Sequence, residues 1–241
     1  MTPELLAALA LARREQRPVV LATKLPSGEQ LLLPDPQAGA ALNEAAERAL
    51  ATDRSDTVSI SGAAYFLHVH NTPLRMVVVG AVHIAQALVP MAAQLGLAVV
   101  VVDPRRAFAS AERFPNVTIS TDWPDEALDA LRPDRRTAIV TLTHDPKLDD
   151  PALDRALRSP ALYIAALGSR RTHAARLARL RALGHDEASL ARIRGPAGLN
   201  IEAVTAPEIA LSILAEFVAV HRGAALARKP PVAAEKAGQA A

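Results

Sequence analysis

Four short segments of this sequence hold most of its chemically capable residues, and each directly follows an apolar run. Gly80-Ala81-Val82-His83-Ile84-Ala85 follows Met76–Val79, and Asp103-Pro104-Arg105-Arg106 follows Ala98–Val102. Thr143-His144-Asp145-Pro146 follows Thr137–Leu142, and Gly168-Ser169-Arg170-Arg171-Thr172-His173 follows Ala161–Leu167. In the last segment a glycine permits a tight exit, and Ser169 can cap a following helix whose free N–H groups and positive dipole end favour an anion. Arg170 and Arg171 then stand in the first helical turn, where a cation runs against the dipole. An anionic partner, such as a phosphate held by guanidinium forks, offsets that penalty. A solvated, arginine-rich helix face is the plainer alternative.

The first segment aligns with the dinucleotide fingerprint at Gly80, Val82 and Ala85. The first glycine is present and alanine is tolerated at the third position, but Val82 puts a branched side chain where the backbone must approach a pyrophosphate. Asp103 stands 23 residues after Gly80, about where an acid holds a ribose hydroxyl. His144-Asp145 could be a general acid/base pair, or Asp145 could simply make a turn before Pro146. A metal site without cysteine would need His83, His144, His173 and a carboxylate, and no helical histidine spacing supports one, so none is expected. Asp149-Asp150-Pro151 reads as a helix N-terminus with Pro151 in the first helical position. Gly195-Pro196-Ala197-Gly198-Leu199 is a glycine-hinged loop, either phosphate-facing or a plain connector.

The elements that must position these residues change character along the chain. Residues 1–72 mix helices at 3–16 and 37–51 with strand pairs around Pro26-Ser27-Gly28 and around Gly62, without βαβ alternation, and predict a small α+β domain. Residues 73–222 alternate continuous apolar strands with helices, which predicts a Rossmann-like α/β domain, a parallel sheet covered by helices on both faces. In such a sheet, ligands bind outside the carboxyl ends of the strands, where the four segments lie. Thr205-Ala206-Pro207-Glu208 is a capping box that opens the last helix, with Glu208 as its acid. Residues 223–241 read as a disordered tail.

Composition narrows the function classes. Half of the 241 residues are apolar, enough for a sizeable core, and a net charge of +2 carries no bulk signal for nucleic acid or membrane. The absence of cysteine removes disulfides, thiolate metal sites and a cysteine nucleophile together. No apolar run is long enough to span a bilayer and the N-terminus lacks a basic n-region, so a cytoplasmic location is expected.

Taken in order, Gly80-Ala81-Val82-His83, Val102-Asp103-Pro104-Arg105, Thr143–Pro146, Asp149-Asp150-Pro151, Leu167–Thr172 with Tyr163-Ile164, Gly195–Leu199 and Pro207-Glu208-Ile209-Ala210 resemble the C-terminal Rossmann domain of the XdhC/CoxI family. The match covers about residues 73–222. The resemblance implies an accessory chaperone that binds molybdenum cofactor (molybdopterin) as cargo and delivers it to an apo molybdenum hydroxylase of the xanthine dehydrogenase type. It further implies a homodimer, with a cysteine desulfurase as an additional partner. The residues expected to line the cofactor site are Gly80, His83, Asp103, Arg105, His144, Asp145, Gly168, Ser169, Arg170, Arg171, Gly195 and Gly198. Three departures stand out: Val82 replaces the family's second glycine, Asn200 and Glu202 replace an Asp and a Gly, and residues 1–72 lack the family's cysteine motif. Two other readings stay open. An NAD(P)-dependent oxidoreductase has Val82 against it and no evident catalytic Tyr-Lys pair, and the third is a non-catalytic, protein-binding Rossmann module.

Overall fold

The computed structural model describes residues 1–224, so the tail expected from 223 lies, past Ala224, outside the described residues. The chain begins with α1 (Pro3–Arg14), the hairpin β1 (Val19–Leu25) and β2 (Gln30–Leu33), a 3-10 turn at Pro36–Ala38, α2 (Ala40–Thr52), and the hairpin β3 (Asp56–Ile60) and β4 (Ala63–His70). These strands form one antiparallel sheet in the order β2-β1-β4-β3. Period-two alternation sends Val20, Ala22, Leu33 and Leu67 to a core with Leu42, Ala45, Ala46 and Ala49 of α2. Val19 turns to the opposite face, where Leu9 and Ala12 of α1 cover it.

The second part runs β5 (Arg75–Val79), α3 (His83–Gln94), β6 (Ala98–Val102), β7 (Thr118–Ser120), α4 (Pro124–Leu131), β8 (Thr137–Thr141), α5 (Pro146–Arg158), β9 (Tyr163–Ala166), α6 (Arg170–Ala182), α7 (Glu187–Leu190), β10 (Ile193–Arg194) and α8 (Ala206–His221). All six strands are parallel, in the order β10-β9-β8-β5-β6-β7. The chain winds outward from β5 to β7 on one side, returns to β8, and winds outward to β10 on the other. The switch point therefore falls between β5 and β8, which is where an open α/β sheet presents its ligand crevice.

Burial on both faces explains why these strands read as continuous apolar runs. Met76 and Val78 pack with α3 and α8, through Leu88, Ala92, Ile213 and Phe217. Their neighbours Val77 and Val79 face the other way, onto Leu128, Ala152, Leu153 and Leu180 from α4, α5 and α6. Each Val, Leu, Ile, Phe or Met among them contributes roughly 1.5–3 kcal/mol on full burial. The two sheets are tied together at Asp53, which Arg136 meets at 3.3 Å while also donating to the Thr72 carbonyl at 2.8 Å.

One helix start differs from the sequence expectation. α5 begins at Pro146, five residues before Pro151, and Pro151 lies inside it. The Asp145 carboxylate accepts the Lys147 N–H at 2.9 Å, and the Asp145 carbonyl accepts from Leu148 and Asp149, so the helix is nucleated there. Pro151 then forgoes one intrahelical hydrogen bond. The capping box at Thr205 and Glu208 forms as expected.

Candidate functional site

Five strand ends meet along the carboxyl edge. At the end of β5, Gly80 takes φ +108°, and a Cβ there would sit 2.5 Å from the Thr143 Cγ2. Only glycine lets the two loops that flank the switch point touch. α3 follows with Val82 as its N-cap, which supplies no side-chain hydrogen bond, and His83 is exposed as the first helical residue.

Asp103, at the end of β6, is fully buried (0% exposed). Its Oδ2 accepts the Ala81 N–H and an Arg105 Nη2 N–H, both at 2.8 Å. Its Oδ1 accepts the Arg105 amide at 3.0 Å and the Arg105 Nε at 2.9 Å. Burial by itself raises this carboxyl's pKa, but the Arg105 guanidinium and the Ala81 and Arg105 amides outweigh it, and the net shift is downward. The acid expected to hold a ribose hydroxyl thus spends four hydrogen bonds fixing the β5 turn and its own loop. Asp103 also raises the pKa of Arg105.

Beyond β8, Thr143 donates to the Asp149 Oδ1 at 2.6 Å and accepts the Asp145 N–H at 3.1 Å. This holds His144 at φ +61°, a left-handed conformation uncommon for a residue with a side chain, and leaves it exposed. Asp149 faces Arg176 of α6 at 3.2 Å, a pair almost completely buried, and Arg176 also donates to the Leu167 carbonyl at 2.9 Å. Burial pushes the Asp149 carboxyl up by more than Thr143 and Arg176 pull it down. The brace therefore clamps the β8 turn to the β9 turn.

At the β9 turn Gly168 takes φ +144°, and a Cβ on it would lie 3.7 Å from the His144 Nδ1. Ser169 caps α6 by accepting the Thr172 N–H at 3.1 Å. Arg170 and Arg171 are exposed in the first turn, with no ion pair among the described residues. Gly195 lies against the His173 ring, which burial, and then Arg176, hold below the usual histidine pKa. Gly198 donates its N–H to the Glu216 Oε2 at 3.0 Å, which also accepts the Tyr163 hydroxyl at 2.8 Å.

The fold thus brings Gly80, Asp103 and Arg105 together on one side, and His144, Gly168, Ser169 and the two arginines on the other. Asp145 serves as the α5 N-cap. Gly195 and Gly198 are anchored from beneath by His173 and Glu216. Sequence reasoning did not single out Arg176, Thr143, Glu216 or Tyr163 as site-shaping residues. Arg176 meets Asp149 across 27 residues, and Tyr163 meets Glu216 across 53, so no local spacing could reveal either pair.

A family model for the XdhC Rossmann domain matches residues 76–217. The protein YqeB of Escherichia coli (strain K12) is 37% identical over 164 residues, 66% of this chain and 29% of its own. The molybdenum cofactor insertion chaperone PaoD of the same organism is 40% identical over 88 residues, 36% of this chain and 28% of its own. The chain therefore spans under a third of the length of these two relatives. A crystal structure described as a xanthine dehydrogenase from Bacillus halodurans shares the fold, with a TM-score of 0.66 and 22% identity over 94% of this chain and 65% of that one.

Proposed function

The chain belongs to the XdhC Rossmann-domain family, and from that premise we propose that it is an accessory chaperone that binds molybdenum cofactor as cargo and delivers it to an apo molybdenum hydroxylase of the xanthine dehydrogenase type. The observation that carries this reading is the first turn of α6. A Ser169-capped helix N-terminus with two exposed arginines, without an ion pair among the described residues, opens at the carboxyl edge of the sheet. Its free N–H groups and the guanidinium groups suit the terminal phosphate of molybdopterin. His144 and Gly168 form the adjoining wall, the Gly80 turn and His83 line the switch point, and Arg105 stands across it. Asp103 and Asp145 act by holding loops rather than by offering a free carboxylate.

The relative named as a molybdenum cofactor insertion chaperone supports the cargo assignment. The Asp103 geometry speaks against an NAD(P) oxidoreductase, because the Asp103 carboxylate is already committed and Val82 stands where the fingerprint has its second glycine. Delivery requires a surface for the acceptor enzyme. A homodimer and a cysteine desulfurase partner complete the proposed assembly.

Expression in a host that makes molybdenum cofactor, followed by oxidation of the purified protein, should release a fluorescent pterin. The Arg170→Ala/Arg171→Ala double variant should carry at least tenfold less. Tight, saturable NAD(P) binding by a protein that carries no pterin would overturn the chaperone reading.

A further inference from the structure

The junction between the antiparallel and parallel sheets is built around Asp53, the C-cap of α2, held at φ +52° in the left-handed region. Its Oδ1 accepts the Asn71 side-chain N–H at 2.7 Å, and Asn71 also donates to the Leu50 carbonyl at 3.0 Å. Arg136, from the turn before β8, meets the Oδ2 at 3.3 Å. From the end of α8, Arg222 donates to the Asp53 carbonyl at 3.3 Å, and the His221 Nε2 stands 3.6 Å from the Asp53 Oδ2. That last distance is too long for a hydrogen bond. The His221 side chain is only 9% exposed, and its Nε2 is buried without a partner among the described residues. Its ring lies parallel to that of Phe217, one turn earlier, with centroids 6.0 Å apart.

The charges at this junction suit a neutral imidazole. Arg136 and Arg222 already set two cations beside one carboxylate, so a proton on His221 brings a third into a largely buried site. Burial, then Arg222 and Arg136, hold the His221 pKa below its ordinary 6.5, and Asp53 offsets them only in part. Burial raises the Asp53 carboxyl, but Asn71 and Arg136 outweigh it and keep the pKa below 3.8. Between those two values the carboxylate keeps its charge while the imidazole changes its own.

We propose that Asp53, Arg136, Arg222 and His221 form a proton-sensitive latch between the two sheets, closed while His221 is neutral and released when it takes a proton. Release puts the ring in water, where its charge is hydrated instead of crowded by Arg136 and Arg222. Three segments give together: the end of α2, the end of α8, and residues 71–74, which link β4 to β5. The closed state disfavours the proton, so closure is complete above 6.5 and is lost as pH falls through the lower, closed-state value. Because Arg136 precedes β8, the latch lies at the amino ends of the parallel strands, opposite the α6 turn. It does not depend on the identity of the cargo.

The test is amide hydrogen exchange on the full chain, compared at about pH 7.5 and about pH 4.5 after correction for the intrinsic rate. Acid should open the three segments about threefold or more, while β5, β6 and β8 stay protected. His221→Gln, which cannot take the proton, should exchange slowly there at both pH values. His70→Gln, a control on β4, should respond as the wild type does. Ring NMR of the wild type then gives the His221 pKa in the folded protein without any variant. The rise in opening should equal the gap between that value and 6.5, at about tenfold per unit. Exchange insensitive to pH, a His221 pKa at or above 6.5, an acid response retained in His221→Gln, or protection lost across the whole parallel sheet overturns the proposal. Failure of the chaperone reading registers elsewhere, as absence of pterin from the wild-type protein.

Discussion

Helix α6 carries two kinds of arginine a turn and a half apart. Arg170 and Arg171 stand in its first turn, exposed and without an ion pair among the described residues, at the carboxyl edge of the sheet. Arg176 is 1% exposed, pairs with Asp149 and donates to the Leu167 carbonyl. The same side chain is the proposed anion receptor in one place and a brace in the other. What separates them is whether the protein has already supplied the partner and removed the water. An isolated buried guanidinium is prohibitively costly, so Arg176 must be paired internally. An exposed one keeps its donors for a ligand.

The largest expected effect comes from breaking the brace. Arg176→Met leaves Asp149 buried without its cation and should lower unfolding stability by about 3–5 kcal/mol, measured by urea denaturation. Adding Asp149→Leu should recover most of that loss. If the single variant is as stable as the wild type, the contrast between the two arginine classes collapses.

Asp103→Ala comes second. It orphans the buried Ala81 amide and frees Arg105, and should cost roughly 2–3 kcal/mol in the same measurement. A ribose-binding acid would instead lose affinity and leave stability unchanged. The pH dependence sharpens this. The folded pKa of Asp103 lies below its ordinary 3.8, so its contribution is fully present above 3.8 and is lost as pH falls through the folded value. The stability gap between wild type and Asp103→Asn should narrow only in that acidic window.

Arg170→Ala tests the exposed class. Apo stability should stay level or rise by a few tenths of a kcal/mol, because a cation leaves the positive end of a helix. Pterin-cofactor affinity should fall about tenfold, roughly 1.4 kcal/mol, and Arg170→Lys should restore only part of it. Unchanged affinity in both variants would move the anion site away from α6. The smallest effect belongs to His173, on α6 between the two classes. Its pKa is depressed by burial and by Arg176, so the stability it contributes is present above 6.5 and declines as pH falls through its folded value. His173→Gln should flatten that shallow slope in thermal melts taken across the acidic range.

Much of the architecture was legible in the chain. Valine runs such as Ala98–Val102 admit little besides a buried parallel strand, and the Thr205 capping box fixes where α8 begins. Ser169 as the α6 cap was equally readable, because a cap bonds within three residues of itself. Pro151 shows the limit of such local signals. Asp149-Asp150-Pro151 has the composition of a helix start, yet Asp145 had already started the helix four residues before Asp149. Asp103 shows it for function, since its type and spacing matched a ribose ligand while its oxygens were committed to Ala81 and Arg105.

What the sequence determined by itself, then, is the set of elements and the edge on which the chemistry falls. Hydrophobic period, caps and turns act over a few residues and survive in isolation. Tertiary structure alone decided which polar groups remain free. Whether Arg176 or Asp149 can meet a ligand depends on a partner 27 residues away, and Asp103 adds the Ala81 amide, 22 residues away, to its neighbour Arg105, all under burial that only the packed sheet creates. A charge in water and the same charge behind two helices differ by several kcal/mol, and that difference appears only when the chain has closed over it.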